Sequence, residues 1–127
     1  MRAPSIAPDA PGPAEPADLY EMANLYPEDT GLPMTVWVSP RGNARHDARV
    51  KVCRVHGNRM VPDPDDTAVV ALWPEPRLIE GTLRADDLGP VLRWAAANRD
   101  VLMDYWEGRI GTGAMVRRLA PVPPPPA

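Results

Sequence analysis

The pattern of apolar and polar positions predicts two neighbouring strands in the first half of the chain. Successive side chains of a strand point to opposite faces, and residues 46–55 alternate in this way between apolar and polar. In residues 34–38, Met34, Val36 and Val38 share one face, and Thr35 and Trp37 lie opposite. The Gly42–Asn43 step between them tolerates the positive φ angles of a tight turn, so the two strands should pair as an antiparallel hairpin. In the second strand, Arg49 and Lys51 share the polar face, which makes that face basic.

A third strand is predicted over residues 67–73, which read Thr-Ala-Val-Val-Ala-Leu-Trp without alternation. An apolar run of this length is typical of a strand that is buried on both faces in the middle of a sheet. Pro74 and Pro76 end it. Residues 77–80 then predict a short edge strand, because proline is tolerated next to the edge of a sheet.

Helical spacing replaces alternation in the last third of the chain. The apolar positions within residues 88–95 fall on one face of a helix. Asp87 is the predicted N-cap, because it places Pro90 in the first turn, where a missing N–H costs little. Asn98 is the predicted break, and Asp100 either starts a second helix or continues the first.

Three further helical segments are predicted. Residues 19–26 predict a short helical turn, which the following proline ends. Residues 101–106 carry an apolar helical face, and Gly108 and Gly111 close that segment. Thr112 is the predicted cap of a last helix with apolar positions at Met115, Val116 and Leu119.

Strands followed by helices predict an α+β domain. We expect a three- or four-stranded antiparallel meander with two or three C-terminal helices packed on one face. Residues 1–18 and 121–127 are rich in proline and poor in large apolar side chains, so we expect a disordered leader and a disordered tail. The single folded domain is then residues 19–120.

Composition narrows the cellular setting. The single cysteine, Cys53, excludes an internal disulfide and agrees with a reducing cytosol. No apolar run is long enough to cross a bilayer, and prolines interrupt the segment where a signal peptide needs apolar residues. Thirteen arginines against one lysine indicate a GC-rich coding bias. We therefore expect a cytoplasmic protein of bacterial origin.

The net charge of −3 is unevenly distributed. Residues 1–33 carry one cation against six acids, residues 34–62 carry six cations against one acid, and residues 63–127 carry seven against ten. A basic segment therefore lies between two acidic ones. We favour internal compensation of this charge over a dedicated site for a polyanion, because basicity of a whole domain is the stronger signal for nucleic acid.

The basic hairpin over residues 41–54 is the candidate contact surface. Its cations suit phosphate groups, and a tryptophan on the neighbouring strand suits base stacking. The alternative is a solvated outer face in which the tryptophan packs under other residues. The candidate contact residues for nucleic acid or a partner protein are Trp37, Arg41, Arg45, Arg49 and Lys51.

Metal binding and nucleophilic catalysis are poorly supported. His46 and Cys53 are separated by an odd number of positions, so a strand points them to opposite faces. A second ligand pair for His56 is absent from the sequence. Cys53 lies within a strand, where cysteine is usually a small apolar residue. We therefore assign no catalytic residue, no metal ligand and no cofactor.

Three segments of the chain carry a resemblance to known proteins: residues 24–33, 46–52 and 98–108. They resemble short bacterial proteins that share a domain of unknown function, some of which are encoded beside toxin–antitoxin-like gene pairs. The resemblance implies a compact α+β fold and a protein partner, and it carries over no catalytic residue. It covers about residues 24–119, and the proline-rich leader departs from it.

The first functional interpretation is a small non-enzymatic interaction module that binds a partner protein or itself and does not bind a membrane. The absence of a convergent catalytic set favours it. The second is a nucleic-acid-binding regulator that uses residues 41–54. The third is a small hydrolase or toxin component with its active site at His46 or His56.

Overall fold

The computed structural model describes residues 22–42 and 47–125, and these residues form an α+β domain. Five strands pair in chain order as one antiparallel sheet. They are β1 (Ala23–Leu25), β2 (Met34–Val38), β3 (Arg49–His56), β4 (Thr67–Ala71) and β5 (Arg77–Glu80). Four helices accompany them: α1 (Pro27–Thr30), α2 (Ala85–Ala97), α3 (Arg99–Trp106) and α4 (Thr112–Arg118). The predicted class and meander are confirmed.

The sheet has one strand more than the three or four that we expected. The additional strand is β1, which lies within the segment predicted to be helical. Ala23 and Leu25 are buried and lie opposite Val38 and Val36 of β2. Burial of this alternating pair against β2 overrides the local helical preference of the segment.

The two faces of the sheet have different compositions. Residues directly opposite each other in an antiparallel sheet share a face. The inner face is apolar and joins the buried side of α2, α3 and α4 in one core. The outer face carries one row across all five strands: Asn24, Trp37, Lys51, Val69 and Glu80.

The prediction for residues 67–73 is confirmed for the part that forms β4. Residues 68–71 are all buried, so this strand is covered on both faces. It lies between β3 and β5, inside the sheet. Leu72 is buried beyond the end of the strand, whereas Trp73 is 55% exposed.

Helix α2 begins at Ala85 with Arg84 as its N-cap, three residues earlier than predicted. Asp87 is therefore not the N-cap but a residue of the first turn, with only 4% of its surface exposed. Pro90 lies inside the helix, where the residue lacks the N–H that an intrahelical hydrogen bond needs. The carboxylate of Asp87 is held by His56 of β3 and does not cap the helix.

The predicted break at Asn98 is confirmed, since α2 ends at Ala97 and α3 begins at Arg99. Gly108 follows α3 with a φ angle of 77°, which glycine adopts without strain. Thr112 was predicted to cap α4, and this was wrong. Gly111 occupies the N-cap position, and the Thr112 hydroxyl lies 2.8 Å from the hydroxyl of Tyr105.

The first part of the proline-rich tail makes two hydrogen bonds to the domain. The backbone N–H of Val122 donates to the carbonyl of Thr30 over 2.8 Å. Nε of Arg93 donates to the carbonyl of Pro123 over 3.3 Å. Residues 126 and 127, like the predicted leader, lie outside the described residues. Val122 can donate its hydrogen bond to Thr30 because, unlike the prolines around it, it has a backbone N–H.

Gly31 makes the approach of the tail possible. It ends α1 with a φ angle of 80°, which is rare for other residues. A Cβ atom at this position would lie 3.2 Å from Cγ1 of Val122. The residue therefore serves both the helix end and the contact with the tail.

Candidate interaction surface

The basic face predicted on β3 exists, but carboxylates compensate part of its charge. Arg49 and Lys51 both lie on the outer face, at the register positions of Ala71 and Val69. Nη1 of Arg49 is 3.4 Å from Oε2 of Glu80, and its Nε donates to the carbonyl of Asp47 over 3.3 Å. Lys51 is exposed. Of the two predicted cations on this strand, one is already paired across the sheet.

Trp37 is buried, in agreement with the alternative in which this tryptophan packs under other residues. It lies opposite Lys51 on the outer face, yet only 1% of its surface is exposed. Residues 57–62, which connect β3 to the following loop, pass over this part of the sheet. The Thr35 hydroxyl accepts a hydrogen bond from the Arg59 backbone, and Nδ2 of Asn24 donates to the carbonyl of Met60 over 3.0 Å.

The remaining predicted contact residues do not join Arg49 and Lys51. Arg41 lies after β2 and contacts the end of α3. Its backbone N–H donates to the Trp106 carbonyl over 2.7 Å, and its Nη1 is 4.0 Å from a carboxylate oxygen of Glu107. Arg45 lies outside the described residues, as does His46. The described part of the predicted surface is therefore divided between the outer face and the end of α3.

His56 and Cys53, the described members of the predicted metal or nucleophile group, have separate surroundings. Cys53 is buried at 2% exposure opposite Thr67. Nε2 of His56 donates to the Asp87 carboxylate, with distances of 3.0 Å and 3.1 Å to its two oxygens. Across residues 22–42 and 47–125, no group of three or more His, Cys, Asp or Glu side chains is arranged to hold a metal ion.

A cleft of about 360 Å³ opens where the chain before β3 meets the end of α3 and the segment after β4. Two indole rings and a thioether line it beside charged groups. This lining combines large apolar side chains with cations and anions, which is the composition of many binding surfaces. The residues are Arg41, Asp47, Ala48, Trp73, Met103, Trp106 and Glu107.

Trp73 is the projecting side chain of this region. It is 55% exposed, whereas Trp37, Trp94 and Trp106 are 1%, 0% and 5% exposed. An isolated exposed tryptophan leaves a large apolar surface in water, and such surfaces often mark interaction sites.

Two arginines hold Trp73 and its neighbour in place. The guanidinium carbon of Arg99 lies 5.7 Å from the centroid of the indole ring, and Nη1 of Arg99 donates to the carbonyl of Pro74 over 2.6 Å. Nη1 of Arg77 donates to the carbonyl of Trp73 over 3.0 Å. The exposed ring is thus fixed by a cation–π contact and by hydrogen bonds to the backbone. We call Trp73 and the adjoining cleft the Trp73 surface.

A second exposed apolar pair lies on the outer side of the sheet. Met60 and Val61 are each 74% exposed. Together with Met22, Asn24 and Pro62 they line a shallow groove of about 370 Å³. This pair offers no aromatic ring and no cation–π contact, so the Trp73 surface is the stronger candidate.

The Trp73 surface was not predicted, because Trp73 ends an apolar run that is typical of a buried strand. One sequence signal was available: Trp73 is followed by Pro-Glu-Pro, which cannot continue a ladder of hydrogen bonds. The approach of Arg99 depends on the packing of α3 next to the end of β4. No local sequence pattern indicates that contact.

No family model matches the sequence, and the comparisons with curated proteins and with solved structures also found no match. The resemblance to bacterial proteins with a domain of unknown function therefore stays a prediction. None of the helices in the described part of the chain is long and apolar enough to span a membrane.

Proposed function

We propose that this protein is a small non-enzymatic interaction module and that the Trp73 surface is its contact site. The observation that carries the proposal is an exposed tryptophan, fixed by Arg99 and Arg77, at the rim of a cleft that contains a second tryptophan. We also propose a bacterial cytoplasmic setting, which the single unpaired thiol of Cys53 supports.

The fixed position of the Trp73 side chain favours binding at this surface. Tryptophan, arginine and methionine are enriched in the centres of protein interfaces, and tryptophan and arginine dominate their binding energy. A side chain that is already fixed loses little conformational entropy on binding. Trp73 meets both conditions, because its ring has a cationic partner before any protein binds.

Nucleic-acid binding by residues 41–54 receives less support. Arg49 and Arg41 each have a carboxylate oxygen within 4.0 Å, which lowers the positive potential that a phosphate would encounter. The hydrolase interpretation has no further support from the position of His56, whose Nε2 is occupied by Asp87.

The test compares three forms of the full chain: wild type, Trp73→Ala and Val116→Ala. Val116 is 40% exposed on α4 and serves as the matched control for loss of an exposed apolar side chain. Each form is used to capture proteins from bacterial cells that express it. Proteins captured by wild type and Val116→Ala but not by Trp73→Ala are purified and titrated against the three forms by calorimetry.

We expect Trp73→Ala to weaken the affinity for such a purified partner about thirtyfold or more. Replacing a tryptophan that dominates an interface by alanine reduces the binding free energy by about 2 kcal/mol or more. Equal affinity for all three forms contradicts the assignment of the surface. A different outcome would favour the nucleic-acid interpretation instead. In that outcome no protein partner is captured, the wild type binds random DNA or RNA in a salt-dependent way, and Lys51→Ala weakens this binding.

A further inference from the structure

We infer that the Trp73 surface recognises proline-rich chain, and that the segment it binds is residues 1–21 of the same molecule. This inference rests on the proposed function, because it names a ligand of the same surface. Residues 1–21 themselves lie outside the described residues. The inference follows from the aromatic lining of the cleft and from the place where the chain enters the sheet.

The lining of the cleft suits proline side chains. Two indole rings, those of Trp73 and Trp106, and the thioether of Met103 line a recess of about 360 Å³. Proline-rich segments bind in grooves with aromatic walls, because their extended polyproline II form is preorganised and has low conformational entropy. An indole also has an N–H donor, and the carbonyls of a polyproline II segment have no internal hydrogen-bond partners.

The sequence before the domain has the matching composition. Among residues 1–21, the prolines are Pro4, Pro8, Pro11, Pro13 and Pro16. Pro8 and Pro11 are three positions apart, and so are Pro13 and Pro16. A polyproline II helix has three residues per turn, so the two prolines of each pair lie on the same side of it. Each pair therefore presents two rings to one groove.

The strand register shows that this segment enters the sheet at the end where the cleft lies. Through the two strands between them, Asn24 of β1 is level with Val69 of β4. Three antiparallel pairings separate β1 from β4, so these strands run in opposite directions. Met22, the first described residue, is therefore level with Ala71, and Trp73 follows two residues later.

Residues 8–16 are close enough to Met22 in sequence to reach the cleft. Three strand spacings and two residues of strand separate Met22 from Trp73, which corresponds to about 16 Å. A polyproline II segment advances about 3.1 Å per residue, so about five or six residues cover this distance. Between the two points, Arg41 follows β2 and Ala48 precedes β3, and both line the cleft.

The other proline-rich segment, the C-terminal tail, is directed elsewhere. Its Val122 donates to the carbonyl of Thr30, which lies in the connection from β1 to β2. That connection is at the opposite end of the sheet from Met22, because it follows β1 whereas Met22 precedes it. Of the two proline-rich segments, the position of residues 1–21 is therefore the one that favours binding to the Trp73 surface.

Paramagnetic relaxation in the full chain tests the inference. Ala10→Cys carries a nitroxide label, and the introduced thiol is the accessible one because Cys53 is buried. Indole N–H signals are recorded from isotope-labelled protein, and the signal that Trp73→Phe removes is assigned to Trp73. We expect the label to broaden this signal more strongly than that of Trp94, which is fully buried in the core.

An alanine variant of the leader separates recognition of proline from mere proximity along the chain. It keeps the length of the segment and the label, and it replaces Pro8, Pro11, Pro13 and Pro16 by alanine. In this variant we expect most of the broadening of the Trp73 signal to be lost. Pro124→Ala with Pro125→Ala in the tail is the matched control and should retain the broadening. Equal broadening with and without the leader prolines overturns the inference.

A mixture distinguishes the same chain from a second copy. Isotope-labelled protein without nitroxide is combined with nitroxide-labelled protein of natural isotope content. A Trp73 signal that stays sharp in the mixture supports binding within one molecule, whereas broadening as strong as in the single chain overturns it in favour of a second copy. The experiment contains no partner protein. If the label never broadens the Trp73 signal, this inference fails and the capture experiment still decides the proposed function.

Discussion

Asn98 binds Ala120 through two hydrogen bonds and thereby joins the junction of α2 and α3 to the start of the C-terminal tail. The backbone N–H of Ala120 donates to Oδ1 of Asn98 over 2.8 Å, and Nδ2 of Asn98 donates to the carbonyl of Ala120 over 3.0 Å. The same Nδ2 donates to the carbonyl of Trp94. Since Asn98 is 2% exposed, these bonds are shielded from water.

Replacing Asn98 by alanine should lower the free energy of unfolding by about 1–3 kcal/mol, because it removes three hydrogen bonds that a buried side chain makes. Urea denaturation monitored by tryptophan fluorescence measures the change. Asn58→Ala is the matched control, since Asn58 is exposed in the loop after β3. A loss equal to that of the control shows that the tail does not depend on Asn98.

Trp106 and Trp73 provide a direct comparison of a buried and an exposed tryptophan. Trp106 is 5% exposed and belongs to the core, whereas Trp73 is 55% exposed. Trp106→Ala should destabilise the domain by about 3–5 kcal/mol, because it leaves a cavity. Trp73→Ala should cost about 1 kcal/mol or less, mainly the cation–π contact with Arg99.

Denaturant midpoints of the two variants measure this difference. The comparison also supports the capture experiment, because a folded Trp73→Ala chain is needed there. Equal losses for the two variants would show that Trp73 is part of the core in solution and would remove the basis of the Trp73 surface.

Much of the sheet could be predicted from alternation, because a strand with one buried face must keep its apolar residues two apart. β3 is of this kind, whereas β4 was predicted from an unbroken apolar run that is typical of a strand buried on both faces. β1 could not be predicted in the same way, because it has only three residues and its formation depends on pairing with β2. Such a short strand is decided by its partner and not by its own preference.

The candidate site was predictable only in part, for a related reason. Alternation correctly placed Arg49 and Lys51 on one face. It did not reveal that Glu80 neutralises Arg49, since that contact depends on an irregularity in the pairing of β4 with β5. It also did not reveal that residues 57–62 bind Thr35 and Asn24, next to Trp37, because a loop has no periodic pattern from which its path can be predicted.

Asp104 should make stability depend on pH at the acidic end. Hydrogen bonds from Arg109 and then Arg118 hold the pKa of the Asp104 carboxyl below its ordinary value. The folded state therefore binds a proton less readily than the unfolded chain. The contribution of this group is complete above the unfolded pKa of about 3.9 and is lost as pH falls through the lower folded pKa.

Urea midpoints of wild type and Asp104→Asn between pH 7 and pH 2.5 check this expectation. The difference between the two proteins should be largest near neutral pH and should shrink below about pH 4. Asp100→Asn, which removes an exposed carboxylate from the same helix, is the control and should follow wild type more closely. A difference that is constant over the whole range contradicts the assigned role of the two arginines.

The contact with Asp87 should make His56 important for stability, although the side chain of His56 is half exposed. The side chain of His56 is 52% exposed, whereas that of Asp87 is 6% exposed. Removing His56 leaves a buried carboxylate in the first turn of α2 without this donor. Leaving a buried polar group unsatisfied costs more than the loss of an exposed hydrogen bond. His56→Ala should therefore lower the free energy of unfolding by about 1–3 kcal/mol.

Arg54→Ala is the matched control, because Arg54 is exposed two residues earlier on β3 and should change stability by about 0.5 kcal/mol or less. A double-mutant cycle with Asp87→Ala isolates the pair, and we expect a coupling energy of about 0.5–3 kcal/mol. The cost of His56→Ala should largely disappear when Asp87 is already absent, since no buried carboxylate is then left without its donor. Additive losses in the double variant would show that the two side chains stabilise the domain independently.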